Sequence, residues 1–172
     1  MHYVAFVRGI NVGGRTITMA DLKARFEVLG FDEVRTVLQT GNVVFRSDRR
    51  PATIKPTIEA GLQEAFDYPA RAQVYTLGKV RHIIEESPFD DGDPERHSYV
   101  LFFEDGLERQ LAAEATDPDA SVEQVEIGDG VLYWQVPKGQ TLKSPLATYL
   151  TKARYKTFHT NRNLKTLRKV VG

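Results

Sequence analysis

The stretch VRTVLQTGNVVFR, residues 34–46, decides the fold of the first half of the chain. Residues 34–39 and 42–46 are short runs rich in β-branched and apolar side chains, and Thr40 and Gly41 between them form a turn dipeptide. The pattern predicts a β-hairpin. The elements on either side of this hairpin determine the fold to which it belongs.

Strands and helices alternate around the predicted hairpin. Residues 3–8 form an apolar run that ends at a glycine, which predicts a first strand. Thr18 and Asp21 form a capping-box pattern, so a helix should begin there, and a second helix and a strand at residues 72–75 follow the hairpin. The apolar positions of the two helices are Met19, Leu22, Phe26 and Leu29, then Ile54, Ile58, Leu62 and Phe66. The predicted order is βαββαβ.

The second half of the chain repeats this order more loosely. Its predicted elements are a helix capped by Thr76, a strand at 98–103, a helix from Leu107, a hairpin of 122–127 and 131–136, a helix opened by Ser144 and Pro145, and a last helix over 161–171. We therefore predict an α+β fold of two ferredoxin-like lobes of βαββα type, with antiparallel sheets and a C-terminal helix. The predicted lobes are residues 1–76 and 77–172, and an internal duplication would account for them.

Composition narrows the class of protein. The 172 residues contain no cysteine, which excludes disulfides, thiolate-bound zinc and a cysteine nucleophile. The apolar run before Arg8 is too short for a signal peptide, and no later run has the length of a membrane span. We therefore expect a cytoplasmic protein without a membrane partner.

Charge is distributed unevenly along the chain although the formal net charge is zero. Residues 1–84 carry twelve Lys and Arg against eight Asp and Glu, residues 85–129 carry two against fifteen, and residues 130–172 carry nine against none. The net charges of these segments are thus +4, −13 and +9. Such blocks pair within a fold, or they present a basic surface to an anionic partner.

The segment RGINVGGR, residues 8–15, follows the first predicted strand and is rich in glycine. In a βαββαβ lobe the end of strand one, the hairpin turn and the start of the first helix lie at one edge of the sheet. Backbone N–H groups and basic side chains at this edge would suit an anion such as a phosphate. The alternative is that the glycines permit positive φ and the amide side chains satisfy local backbone groups. The predicted ligand-binding residues are Arg8, Gly9, Asn11, Gly13, Gly14, Arg15, Gln39 and Asn42.

The last predicted helix is amphipathic and basic. Leu164, Leu167 and Val171 form an apolar stripe that should be buried, with basic residues on the opposite side. This basic side contacts phosphates, or it is solvated, or it forms ion pairs with the acidic central segment, residues 85–129. The candidate nucleic-acid or phosphate contacts are Arg162, Asn163, Lys165 and Lys169.

No conventional catalytic or metal-binding pattern is present in the sequence. The four histidines do not pair at metal-ligand spacing, and the acidic residues at 90–95 do not match an EF-hand loop. We therefore predict no metal site and no cofactor, and catalytic residues are unknown. The sequence leaves open whether the protein is an enzyme, and it does not specify the oligomeric state.

Five motifs occur in one order over essentially the whole chain: RGINVGG, MADLKARFEVLGFDEV, LQTGNVVF, DGVLYWQVPKG and TNRNLKTLRK. In these the chain resembles the domain of unknown function 1697 family. It departs from the usual family residues at Val37, Thr40 and Leu164, where the family has Tyr, Ser and Trp. The resemblance implies an α+β, ferredoxin-like fold and brings no established activity.

Three function classes remain. The sequence favours a binding module for a phosphate-bearing ligand, nucleotide or nucleic acid, because the singled-out side chains are mostly Arg, Asn and Gln. Such groups orient ligands and stabilise charge but do not readily transfer protons near neutral pH. The alternatives are an enzyme acting on a small anionic metabolite and a protein-interaction scaffold.

Overall fold

The structure is a computed structural model that describes residues 1–10, 14, 16–67, 69–104, 106–114, 123–156 and 159–172. The chain forms two compact units. The first unit consists of Met1–Arg81 with Lys169–Gly172, and the second of His82–Arg168. The sequence-based division between residues 76 and 77 stays a proposal about the folding units, and limited proteolysis would test it.

The first unit contains a four-stranded antiparallel sheet of order β2-β3-β1-β4. This is the ferredoxin-like order, and it confirms the predicted α+β fold class for this unit. Its elements are β1 (His2–Arg8), α1 (Met19–Val28), β2 (Asp32–Val37), β3 (Asn42–Arg46), α2 (Pro51–Phe66), β4 (Arg71–Thr76) and the start of α3 (Leu77–Glu85).

Alternate residues of β1 build the core of this unit. Tyr3, Ala5 and Val7 lie in one apolar cluster with the buried faces of α1 and α2. Val4 and Phe6, which alternate with them and lie on the other face of the sheet, are fully buried as well. The residues of α1 and α2 in the cluster are Leu22, Phe26, Ile54, Ile58 and Leu62.

Strand β2 is shifted from its predicted position at residues 34–39. It begins at Asp32 and contains an irregularity between Asp32 and Arg35, where Glu33 has a φ of 49°. It ends at Val37 because Leu38, with a φ of 57°, leaves the extended conformation. The turn of the hairpin therefore comprises residues 38–41 rather than Thr40 and Gly41 alone.

The second unit repeats the architecture with an antiparallel sheet of order β6-β7-β5-β8. Its elements are the end of α3, β5 (Arg96–Phe103), α4 (Leu107–Glu114), β6 (Gln124–Ile127), β7 (Val131–Pro137), α5 (Pro145–Leu150), α6 (Ala153–Lys156), β8 (His159–Asn163) and the first part of α7 (Leu164–Val171), whose last residues belong to the first unit. Val122, predicted to start β6, lies outside the described residues.

The predicted last helix over 161–171 is wrong at its start. Arg162 and Asn163 belong to strand β8, in which Arg162 is opposite Val100 and Asn163 is opposite Tyr99. The side-chain Oδ1 of Asn163 accepts a hydrogen bond of 2.9 Å from the backbone N of Lys165, so Asn163 stands before the helix as its cap. The second lobe is therefore βαββαβ, with α7 following its fourth strand.

The buried stripe of α7 also differs by one residue from the prediction. Leu164 and Leu167 are fully buried as expected, but the third member is Val170, while Val171 is half-buried. The helix starts three residues later than predicted, and its last turn directs position 170 inward. Lys165 and Lys169 are exposed, as predicted.

A buried carboxylate organises the core of the second unit. Glu123 is 4% exposed and accepts hydrogen bonds from the indole Nε1 of Trp134, at 2.8 Å, and from the backbone N of Leu146, at 2.9 Å. Leu146 lies in the first turn of α5, whose N-cap Ser144 accepts from the N of Ala147. Glu123 thus joins strand β7 to the start of α5.

The two units have equivalent strand registers. Tyr3 is opposite Thr76 in the first sheet, and Tyr99 is opposite Asn163 in the second. Each of these partners stands directly before a helix and accepts a backbone hydrogen bond from it, since Thr76 Oγ1 accepts from the N of Lys79. Each lobe therefore follows the order βαββαβα, which an internal duplication would produce. No helix in the described parts of the chain has the length and apolar character that crossing a membrane requires.

Candidate functional site

The end of β1 lies beside the turn of the first hairpin. The backbone N of Val7 donates a hydrogen bond of 2.8 Å to the O of Gly41, and Phe6 is opposite Asn42. A Cβ at Gly41 would lie 2.6 Å from Val7 O, so this close approach requires glycine. The end of β1 and the turn of the first hairpin therefore lie at one edge of the sheet. That side chains of RGINVGG and LQTGNVVF form one ligand site stays a prediction.

Two arginines meet at this end of the sheet. Arg8, the last residue of β1, is opposite Arg71, the first residue of β4. Directly opposite residues of an antiparallel pair lie on the same face, so both guanidinium groups leave the sheet on one side. Arg8 is half-buried, whereas Arg71 is exposed and has no ion-pair partner among the described residues.

The glycine-rich loop continues from Arg8. Gly9 has a φ of 72° and Gly14 a φ of 80°, conformations that favour glycine, and both residues are exposed. The backbone N of Ile17 donates to the O of Ile10, at 3.2 Å, and closes the loop at its base. The predicted site residues Asn11, Gly13 and Arg15 lie outside the described residues.

A cavity of about 220 Å³ lies beside the end of this loop. Gln39, from the hairpin turn, lines the cavity together with the residues that lead into α1. The lining combines hydroxyl groups, one carboxamide and apolar side chains. The lining residues are Thr16, Ile17, Thr18, Met19 and Gln39.

The N-terminus of α1 already has an anionic side chain of its own. Thr18 caps the helix by accepting from the N of Asp21, and the Thr18 hydroxyl donates to Asp21 Oδ2 at 2.6 Å. This carboxylate stands in the positive first turn of the helix, where it disfavours a second anion. The expectation that helix N–H groups near Thr18 would contact an anion is therefore weakened. Arg8 and Arg71 are cationic groups of this edge among the described residues.

Asn42 holds the hairpin turn together. It is fully buried, and its Nδ2 donates to Val37 O at 2.9 Å and to Thr40 Oγ1 at 2.7 Å. A carboxamide has two N–H donors, and both are used here. These contacts favour the structural interpretation of Asn42, which positions the turn that carries Gln39.

The basic residues near the C-terminus have separate environments. The Nη1 of Arg162 donates to Thr160 Oγ1 and to Asn161 O, both at 2.8 Å, and Asn163 caps α7. Lys165 and Lys169 are exposed one turn apart on α7. Arg168 on the same helix forms an ion pair of 2.8 Å with Asp91. Part of the basic face is therefore paired with the acidic central segment.

A second cavity, of about 280 Å³, lies in the second unit beside the turn between β6 and β7. Tyr133 lines it, and its hydroxyl donates to Ile83 O at 2.8 Å. Burial raises the pKa of Tyr133 to about 12, and the negative charges of Glu86 and Asp129 act in the same direction. The lining residues are His82, Ile83, Glu86, Ile127, Gly128, Asp129 and Tyr133.

Sequence reasoning missed Arg71. The predicted strand began one residue later, at residue 72, and only the pairing of β4 with β1 places Arg71 opposite Arg8. The fourth strand of a ferredoxin-like sheet is expected to pair with the first. Aligning these two strands residue by residue could therefore have placed Arg71 opposite Arg8. Within the described residues, no group of three or more His, Asp or Glu is placed to hold a metal ion.

Comparisons with known proteins identify a family and a solved structure of similar architecture. The sequence profile of a family described as "Protein of unknown function (DUF1697)" matches residues 1–133. The chain belongs to this family. A conserved bacterial protein of Streptococcus pneumoniae, SP0830, has a similar structure, with a TM-score of 0.81 and 23% sequence identity over 99% of this chain and 96% of that chain. This likeness shows the fold alone. The search of curated proteins found no match.

Proposed function

We propose that the protein is a binding module for a phosphate-bearing ligand, which it holds at the edge where β1 ends. The observation that carries this proposal is the pairing of Arg8 with Arg71 on neighbouring strands. The candidate site combines these two arginines with the loop that begins at Gly9 and with Gln39 on the adjacent hairpin turn.

An anion that contacts both Arg8 and Arg71 gains charge-assisted hydrogen bonds, because guanidinium groups donate strongly to phosphate oxygens. Arg71 has an exposed guanidinium group that is available for such a contact. A phosphate group with two negative charges matches this pair.

The surrounding backbone also supports a ligand at this edge. Gly9 and Gly14 are exposed, have positive φ and carry no side chain, so an oxyanion can approach the backbone closely at these two residues. The cavity beside the loop has hydroxyl and carboxamide groups, from Thr16, Thr18 and Gln39, which can orient a ligand. The residues that line it carry no carboxylate and no imidazole, which favours binding over proton-transfer chemistry.

Titration with ribose 5-phosphate, followed by calorimetry and by amide chemical shifts, tests the proposal. Arg71→Ala removes a charge-assisted contact worth roughly 1.5–3 kcal/mol, so affinity should fall more than tenfold. Arg8→Ala should have an effect of the same size. The thermal midpoint of each variant, measured alongside, verifies that it is folded.

Arg50→Ala is the matched control, because Arg50 is an exposed arginine of the same unit that precedes α2 without a side-chain cap bond. It should bind ribose 5-phosphate as the unchanged protein does. Equal losses of ribose 5-phosphate affinity in Arg50→Ala and Arg71→Ala would mean that the overall positive charge, and not a specific contact of Arg71, determines binding. Absence of binding by the unchanged protein at low salt would overturn the proposed function.

A further inference from the structure

We infer that Leu38 contacts the organic part of the ligand, and that the ligand is a nucleoside phosphate rather than a bare phosphate. This inference rests on the proposed function and adds a residue that determines specificity. It is carried by the strained backbone of Leu38, its exposure, and its position relative to the arginine pair.

Leu38 has a φ of 57° and a side chain that is 45% exposed. Left-handed backbone is costly for a branched or bulky residue, whereas glycine and asparagine adopt it readily. Leu38 opens the hairpin turn 38–41, and this turn does not require an apolar side chain at that position. The other described non-glycine residues with positive φ, Glu33 and Asp67, are polar.

Leu38 is 45% exposed, so burial offsets this strain only in part. A strained residue with incomplete compensating packing is typical of a functional position. An apolar side chain presented to solvent at such a position fits a contact with an apolar surface of the ligand.

The order of strands in the sheet gives the approximate distance between Leu38 and Arg8. Arg71, Arg8, Gly41 and Leu38 follow one another along one edge, at the ends of β4, β1, β3 and β2. Neighbouring strands are about 4.8 Å apart, so Arg8 and Leu38 are separated by two spacings, or about 10 Å. A nucleoside monophosphate spans a distance of this order, and inorganic phosphate does not.

Gln39 identifies the class of organic group. It follows Leu38 in the turn and lines the cavity of about 220 Å³ together with Met19 and Ile17. Its carboxamide offers a donor and an acceptor side by side, which matches the hydrogen-bonding edge of a nucleobase. The apolar side chains beside it suit the faces of a planar ring.

The experiment compares AMP with ribose 5-phosphate in calorimetric titrations of the unchanged protein, Leu38→Gly and Leu38→Asn. Both substitutions keep the left-handed backbone accessible and remove the apolar side chain, so the thermal midpoint should stay level or rise. Val28→Ala is the matched control, because Val28 is an exposed apolar residue of the same unit.

We expect AMP to bind at least about tenfold more tightly than ribose 5-phosphate, and each Leu38 variant to lose about tenfold in AMP affinity alone. Equal binding of the two ligands, or unchanged AMP binding by the Leu38 variants, would overturn the inference and leave the phosphate site standing. If neither ligand binds, both this inference and the proposed function are wrong. Val28→Ala should bind both ligands normally.

Discussion

Tyr133 is a buried phenol with a raised pKa. Its phenol is 3% exposed and donates to Ile83 O, and two carboxylates, those of Glu86 and Asp129, lie near it. Burial and these charges disfavour the phenolate, which raises the pKa to about 12 from 10.0. A neutral phenol is therefore part of the folded state.

Stability should consequently fall in alkali. The folded-state pKa of Tyr133 is raised, so its contribution is fully present below pH 10 and is lost as the pH rises from 10 to 12. The complete loss should be about 3 kcal/mol, because the pKa is raised from 10.0 to about 12 and each unit corresponds to about 1.4 kcal/mol. Chemical denaturation at pH 9 and pH 12 measures it, and carbon NMR of labelled tyrosine should find one ring titrating near 12.

Tyr133→Phe is the control for this prediction. It should cost about 1 kcal/mol at neutral pH through the lost hydrogen bond to Ile83 O, and it should lose less stability than the unchanged protein between pH 9 and pH 12. An alkaline loss of the same size in both proteins would assign the effect to other groups.

Glu123 supports a second prediction at the scale of single residues. Glu123→Ala leaves the Trp134 indole N–H and the Leu146 backbone N–H buried without an acceptor, which should cost roughly 2–5 kcal/mol of unfolding free energy. Glu123→Gln keeps one acceptor oxygen and should cost less. Urea unfolding measures both variants.

Glu126→Gln provides the comparison for Glu123, since Glu126 is exposed on β6. It should change the unfolding free energy by less than about 0.5 kcal/mol. A cost for Glu123→Ala no larger than this would mean that water replaces the carboxylate without penalty.

At the scale of elements, sequence periodicity located most helices and strands but misjudged β8. The sequence HTNRN of His159–Asn163 has neither apolar alternation nor β-branched content beyond Thr160, so nothing local indicates a strand. Pairing with β5 holds it, and this is a tertiary contact that a single sequence does not reveal. Helices α1, α3 and α5 were easier to predict because Thr18, Thr76 and Ser144 cap them locally.

The candidate site was predictable to a similar extent. Topology placed Arg8 and the hairpin turn together, since connectivity alone determines which strand ends share an edge. The partner Arg71 and the backbone strain at Leu38 were not predictable, because register and φ depend on how the strands pair.

Helix α7 supports a stability prediction at this scale. Leu164 is its first residue and is fully buried, so Leu164→Ala should cost about 2–5 kcal/mol of unfolding free energy, measured by urea titration. Lys165→Ala, one residue further on the exposed side, should stay within about 0.5 kcal/mol of the unchanged protein. A Leu164 variant as stable as the Lys165 variant would contradict the packing of α7.

At the scale of the whole molecule, the segregated charge sums to zero. Asp91 of the acidic central segment forms an ion pair with Arg168 of the basic helix α7. Part of the positive charge of α7 is therefore neutralised within the protein. Long-range attraction to a polyanion is correspondingly weak. We therefore expect a small ligand rather than a nucleic acid as the partner.

The double substitution Lys165→Gln and Lys169→Gln tests this expectation. It should leave folding and AMP binding unchanged, and duplex DNA should not be retarded in a gel at low salt by either protein. Retardation that weakens with salt, with a slope reduced by about one unit per lost lysine contact, would instead support a nucleic-acid surface on α7.

The two lobes differ at the edge where we propose that the first binds its ligand. Ten residues connect β1 to α1, whereas three connect β5 to α4, and Glu104 stands in the second lobe where the register places Arg8 in the first. Under the proposed function, only the first lobe would carry the site, because Glu104 at the equivalent position of the second lobe has the opposite charge. Calorimetric titration should accordingly give a stoichiometry of one ligand per chain, and a value near two would mean that the second lobe has kept a binding capacity of its own.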